Sequence, residues 1–312
     1  MRLVPSIRYG VLKVARSISQ AAQGEEGRKR PELAIRGKVL IEYMEKNARG
    51  LGIEAGGRSS VLDDEGDEEI YREELCSLSW VPVMVEPPNS WIPWNNSGNQ
   101  ASGGRLRYVA PPRRVRTIED APLVSCIYGI CSVTIKNQAL AIFLGWTEPV
   151  PPLVIAQQLL EYGAIYGGDN EAGAGAAPLL EPMTVPSTLP EVVRETVLGI
   201  YDGLAMQTMD EAFDQVCAAL RGKKSLLLDT DQFVDADKVA FECEADLTPL
   251  LHAYPPGLEG FENLFAVLGV KARFTCRDLI RGMQAVAAVS GGHPLEEEQV
   301  CFRPPNHGNH IT

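Results

Sequence analysis

Four aspartates, Asp229, Asp231, Asp235 and Asp237, fall on alternate positions of one short run. That spacing suits a hard cation such as calcium, which takes carboxylate and carbonyl oxygens as ligands. A calcium loop, however, needs a ligand where Phe233 stands, a turn glycine where Val234 stands and a bidentate glutamate where Ala240 stands. The run therefore reads as a polar hairpin. His307 and His310, with Cys301 nearby, supply only part of a tetrahedral zinc set. His252 and His293 have no Gly-x-Ser-x-Gly elbow to serve, and His252, between Leu251 and Tyr254, reads as a half-buried helix-end residue. The glycine-rich stretch from Gly163 to Gly175 lacks the Gly-Lys-Ser/Thr that grips a nucleotide phosphate. Carboxylates are so common in this acidic chain that no pair stands out as an acid–base couple. The sequence thus assigns no catalytic residue, no metal ligand and no cofactor, and the chain reads as non-enzymatic.

Composition narrows the partners. A net charge of −12 over 312 residues argues against nucleic acid, whose phosphates call for basic surface. No apolar run approaches the ~20 residues that span a bilayer, so no membrane partner is expected. The cysteines are scattered, odd in number and never spaced Cys-x-x-Cys, as reduced thiols of a cytoplasmic protein would be. Val4, Ile7, Val11, Val14 and Ile18 recur at three- and four-residue steps, a helical stripe accompanied by Arg2, Arg8, Lys13 and Arg16. It is read as a helix cut from a longer protein, or as one docking on a neighbouring core. Its alternative, a transit peptide over residues 1–24, would make the address organellar.

The elements that must position any site are mostly helical. The expectation is an α+β protein of two related helical modules, each with a short extended or β element. A helix or tail and linker occupies 1–31, the first module 32–162, a Gly/Ala/Pro linker 163–187, the second module 188–290 and a disordered tail 291–312. In the first module a helix over Glu32–Arg49 is expected to bury Leu33, Val39, Leu40, Tyr43 and Met44. An acidic loop follows, ending at 63–69, then a proline- and tryptophan-rich segment that proline keeps from being helical. Ala121–Val133 fits a strand or a short buried helix. Lys136–Leu144 reads as a helix stopped by Gly145, and Val150–Tyr162 as the next one. In the second module Thr188-Leu-Pro-Glu191 and Thr208-Met-Asp-Glu211 are helix-start signals. Ser225–Leu228 and Phe233–Val234 read as short strands. Leu258, Phe261, Leu264, Phe265 and Leu268 mark a helix ended by Gly269. Thr275-Cys-Arg-Asp278 opens the last helix, expected to bury Leu279, Met283 and Val286. The Leu144-Gly145-Trp146 and Leu268-Gly269-Val270 turns make the two halves echo one another.

The most distinctive run joins Trp80-Val-Pro-Val83 to Pro87-Pro-Asn-Ser-Trp91-Ile-Pro-Trp94. Behind it come Ala139–Trp146 ending Phe-Leu-Gly-Trp, Pro151–Leu159, Ile200-Tyr201, Phe233–Phe241, Leu250–Tyr254 and Leu264–Val270. In this order the pieces resemble the helical portions of the long internal repeats of the sacsin family, very large modular proteins related to chaperones. The resemblance covers most of residues 32–290. It implies a scaffold, or a segment that contacts clients or partner chaperones. The family's ATPase head has no counterpart here, nor does its J-domain, since His293-Pro294 is followed by Leu295 rather than aspartate. The candidate partner-contact residues are Trp80, Trp91, Trp94 and Tyr108, with internal packing as the competing role for these aromatics. A nucleotide- or metal-dependent hydrolase and a ubiquitin-pathway adaptor are the rival functions.

Overall fold

The computed structural model describes residues 3–24, 30–53, 65–84, 108–166, 189, 191–206, 213–243 and 251–289. The fold is mostly helical α+β, with small sheets of two or three strands among the described residues. The chain forms two compact units, Met1–Val154 and Ile155–Thr312.

In the first unit, α1 (Leu3–Ala21) buries Arg8, Val11, Leu12, Ala15 and Ile18. Helix α2 (Pro31–Lys46) starts on proline with Glu32 in its first turn and ends with Lys46, each charge complementing its end of the helix dipole. It buries Leu33, Ala34, Gly37, Leu40, Ile41 and Met44. Helix α3 (Glu65–Ser77) contributes Tyr71 and Leu75 to the same core. Strand β1 (Val81–Val83) pairs antiparallel with β2 (Tyr108–Ala110), Val81 opposite Ala110. A 3-10 turn at Pro112–Arg114 leads into β3 (Val115–Arg116), which runs parallel to β4 (Gly129–Ile130). Between these two lies α4 (Ala121–Val124), so the ambiguous stretch 121–133 holds both a short helix and a strand. Helix α5 (Gln138–Phe143) is capped by Asn137, whose Oδ1 accepts from Leu140 N at 3.2 Å, and stops before Gly145 at φ +77°.

The second unit opens with α6 (Pro152–Tyr166), which begins in the last residues of the first. Gly163, expected to start a linker, is instead a buried residue of this helix; a Cβ there would stand 2.0 Å from the Lys224 carbonyl oxygen. Helices α7 (Glu191–Ala205) and α8 (Phe213–Leu220) follow. The helix-start signals at Thr188 and at 208–211 lie outside the described residues, as do 167–188 and 290–312. Strand β5 (Lys224–Leu227) forms a hairpin with β6 (Phe233–Asp235). Tyr201 of α7 clamps β5, donating to the Ser225 carbonyl at 2.8 Å and accepting from Leu227 N at 2.9 Å. After a 3-10 turn at Ala236–Lys238 comes β7 (Val239–Glu242), central between β8 (His252–Ala253) and β9 (Lys271–Arg273), both parallel to it. His252 is therefore a buried strand residue, not a helix end. Helix α9 (Glu262–Leu268) stops before Gly269 at φ +118°.

Helix α10 (Cys276–Val289) opens on a reciprocal cap. Asp278 Oδ2 accepts from Thr275 N at 2.9 Å, and Thr275 Oγ1 accepts from Asp278 N at 3.3 Å. Leu279 is half-buried; the side chains of Met283 and Val286 lie outside the described ones.

The echo between the halves is a structural repeat. The 3-10 turns (112 and 236), the strands after them (115 and 239), the helices α5 and α9 (138 and 262), the glycine stops (145 and 269) and the helices α6 and α10 (152 and 276) are each 124 positions apart (276 less 152). Among the described residues each copy is also preceded by three helices and an antiparallel strand pair: α1, α2, α3 with β1–β2, and α6, α7, α8 with β5–β6. Helix α6 therefore closes one copy and opens the next.

Candidate functional site

The tryptophan segment does not present its described aromatics to partners. Trp80 is 0% exposed, and its indole Nε1 donates to the Leu75 carbonyl at 2.9 Å, which satisfies the one polar atom that would favour a surface position. Tyr108 is buried in β2, its hydroxyl lying close to Gly129. Both are core residues of the first unit, which corrects their assignment as contact residues. Trp91 and Trp94 lie outside the described residues. Trp146 is likewise buried, donating to the Pro112 carbonyl at 3.0 Å.

Exposed apolar surface gathers instead between α1 and α2. A groove of about 670 Å³ runs there, lined from α1 by Ser6, Ile7, Gly10, Val11 and Val14 and from α2 by Ile35, Arg36, Val39, Leu40 and Tyr43. Ile35, Val39 and Tyr43 are 57%, 58% and 44% exposed. The sequence pattern assigned Val39 and Tyr43 to the buried face together with Leu33, Leu40 and Met44. The helix in fact carries two apolar rows, one facing the core and one facing the groove. The same split occurs on α1, where Val11 and Ile18 point inward while Val14 stays exposed. An apolar stripe wider than its covering neighbour was the available signal, and Ile35 extends it further.

Polar contacts, one buried and two exposed, fix the two helices. Arg8 on α1 is buried, with its Nε donating to the Leu51 carbonyl at 2.9 Å, its guanidinium 5.2 Å from the Tyr71 ring centre and 3.6 Å from the Glu68 carboxylate. Burial pushes the Tyr71 hydroxyl well above its ordinary pKa, against the opposing pull of Arg8, so it stays protonated at all physiological pH. Arg16 Nε donates to Glu74 Oε1 at 2.6 Å, tying α1 to α3. Arg36 donates to Ser17 Oγ at 3.1 Å, joining α2 to α1 at the groove itself. The groove is thus a preformed surface on packed helices, apolar with one cationic side chain, suited to holding an apolar protein segment.

The aspartate run behaves as a hairpin. Asp231 adopts φ +63° in the turn, where Asp231 N donates to the Leu228 carbonyl at 3.1 Å. Its carboxylate is occupied by Arg194 and by Leu189 N. Among the described residues no three His, Cys, Asp or Glu side chains gather into a metal site. His307, His310 and Cys301 lie outside them. No disulfide joins the described cysteines, and burial pushes the Cys131 thiol up to about 11. No helix among the described residues is long and apolar enough to cross a membrane. No family model, curated protein or solved structure matches the chain.

Proposed function

We propose that this chain is a non-enzymatic scaffold of the sacsin-like kind, holding partner or client proteins through the α1–α2 groove. The observation that carries this reading is the row Val14, Ile35, Val39 and Tyr43, exposed on two helices whose opposite faces bury Val11, Ile18, Leu33, Ile41 and Met44. The order of helical and turn motifs that resembles sacsin repeats supports it, as does the duplicated helical unit. Chaperones and their clients are the partners this reading implies, in the cytoplasm.

The test uses an aggregating client, heat-unfolding citrate synthase, monitored by light scattering. The chain should suppress scattering near stoichiometric ratio without ATP, and Val39→Glu should abolish the effect while leaving its own thermal melt in place. Unchanged scattering with the wild-type chain would sink the client-holding reading. A thermal shift with ATP–magnesium would instead place the chain among nucleotide-dependent enzymes or switches, because a ligand of the native state raises its apparent stability.

A further inference from the structure

We propose that the α1–α2 groove takes an amphipathic helix of a partner protein, one that carries a carboxylate beside its apolar row. The inference rests on the reading of the groove as a protein-contact surface and names the chemistry of its occupant. The walls decide the occupant's backbone. Both are helices, whose N–H and C=O groups bond within their own turns, so neither offers a ladder to an extended strand. Among the described lining residues only Ser6, Arg36 and the Tyr43 hydroxyl add polar side-chain atoms. A segment seated here must satisfy its own backbone, and a helix does so. Side-chain spacing agrees. Ile35, Val39 and Tyr43 form an i, i+4, i+8 ridge about 12 Å long on α2, and Gly10 and Val14 stand one such step apart on α1. Ridges of this kind interlock with a third helix whose apolar residues recur at three- and four-residue steps. At Gly10 nothing lies within 4 Å of where a Cβ would stand, which leaves room for a large side chain.

Charge selects which helix. The whole chain carries −12, yet the groove is cationic. Arg36 is the one charged side chain among the described lining residues. Its bond to Ser17 Oγ uses one of the five guanidinium N–H donors and holds the group at the groove. Helix α1 has no acidic residue from Leu3 to Ala21 and adds exposed Lys13, one turn after Gly10 on the same face. Arg8 is paired with Glu68, Arg16 with Glu74, and Glu45 accepts from Lys136 N and Asn137 N. What remains on the two helices is Lys13, Arg36, Lys38 and Lys46 against Glu32 and Glu42, and Glu42 stands 3.9 Å from Lys38. The rest of the acidic chain is screened beyond about 8–10 Å, so these nearby charges set the preference. Arg36 can take a carboxylate in bidentate fashion. A helix with Glu or Asp three or four residues from an apolar anchor brings that carboxylate to Arg36 when the anchor rests on Val39.

Fluorescence anisotropy with two labelled synthetic helices of about 18 residues tests this. Both carry leucine at i, i+4, i+7 and i+11; one has glutamate beside that row and the other has lysine at the same positions. The wild-type chain should bind the glutamate helix roughly tenfold tighter at low salt, with the gap narrowing as salt is added. Arg36→Glu, at an exposed position, should reverse the order, and proline at the centre of the glutamate helix should abolish its binding. Equal binding of the two helices overturns the inference, as does an order that Arg36→Glu leaves unchanged, a proline form that binds as well, or failure of both helices to bind. If both fail while Val39→Glu still loses client protection, the groove holds clients and only the acidic-helix partner is wrong. If Val39→Glu changes neither peptide binding nor scattering, both readings fall. Circular dichroism melts of Val39→Glu and Arg36→Glu check that each variant folds.

Discussion

A Cβ on Gly37 would stand 2.2 Å from the carbonyl oxygen of Trp80. No real contact of that kind survives, so helix α2 meets the start of β1 only because residue 37 has no side chain. Gly163 of α6 stands in the same relation to Lys224 at the start of β5. Gly37→Ala and Gly163→Ala should each cost about 1–3 kcal/mol, as overpacking against fixed backbone does. Gly199→Ala and Gly203→Ala, in α7 with open space around them, should raise stability by about 0.5–1 kcal/mol through helix propensity alone. Urea denaturation of the four variants separates the pairs, and a destabilising Gly203→Ala would contradict this account.

Trp80→Ala removes a fully buried indole and should cost about 3–5 kcal/mol, a large share of the stability of an ordinary domain. Trp80→Phe keeps most of the volume but leaves the Leu75 carbonyl without its donor, at a cost of about 1–2 kcal/mol. Chemical denaturation followed by far-UV circular dichroism measures both. A Trp80→Ala chain with a wild-type melt would restore the tryptophan to the surface.

The start of α10 should be sensitive to acid. Hydrogen bonds from Lys271 (2.7 Å) and Thr275 hold the Asp278 carboxyl far below the usual carboxylate range. A depressed pKa means that the ionised form stabilises the fold. This contribution is complete above about pH 4, the unfolded value, and fades as pH falls below it towards the folded value. Hydrogen exchange of the first α10 turn should therefore accelerate below about pH 4 in the wild type and already be fast at neutral pH in Asp278→Ala. Thr275→Ala should cost about 1 kcal/mol by removing the cap.

Calcium should leave the melting temperature unchanged, because the carboxylate of Asp231 is already held by Arg194 and Leu189 N. Asp231→Ala should cost about 1–3 kcal/mol, combining a strained φ with loss of those partners. A calcium-dependent rise in melting temperature would reopen the metal reading.

Much of the fold was legible because it is written in local signals. Gly145 and Gly269 stop helices where only glycine is comfortable at positive φ, and Thr275 with Asp278 announces the last helix. The contact surface was harder to see. Val39 and Tyr43 have the spacing of core residues, and periodicity reports that a face is apolar without reporting whether anything covers it. Trp80 misled in the opposite direction: its neighbours Trp91 and Trp94 and the surrounding prolines suggested a surface strap, while its burial depends on a Leu75 carbonyl that no pattern can foresee. The parallel pairings β3–β4 and β7–β8 were missed because strands of two to four residues set by distant pairing leave no period to read.

The burial of Gly163 also bears on how this protein can be dissected. The glycine- and alanine-rich stretch that looks like the natural place to cut begins inside a helix. A fragment starting there would lose Tyr162 and the turn against which Lys224 rests. The segment between Trp146 and Pro152 precedes α6 altogether, so expression of the second half alone should begin there.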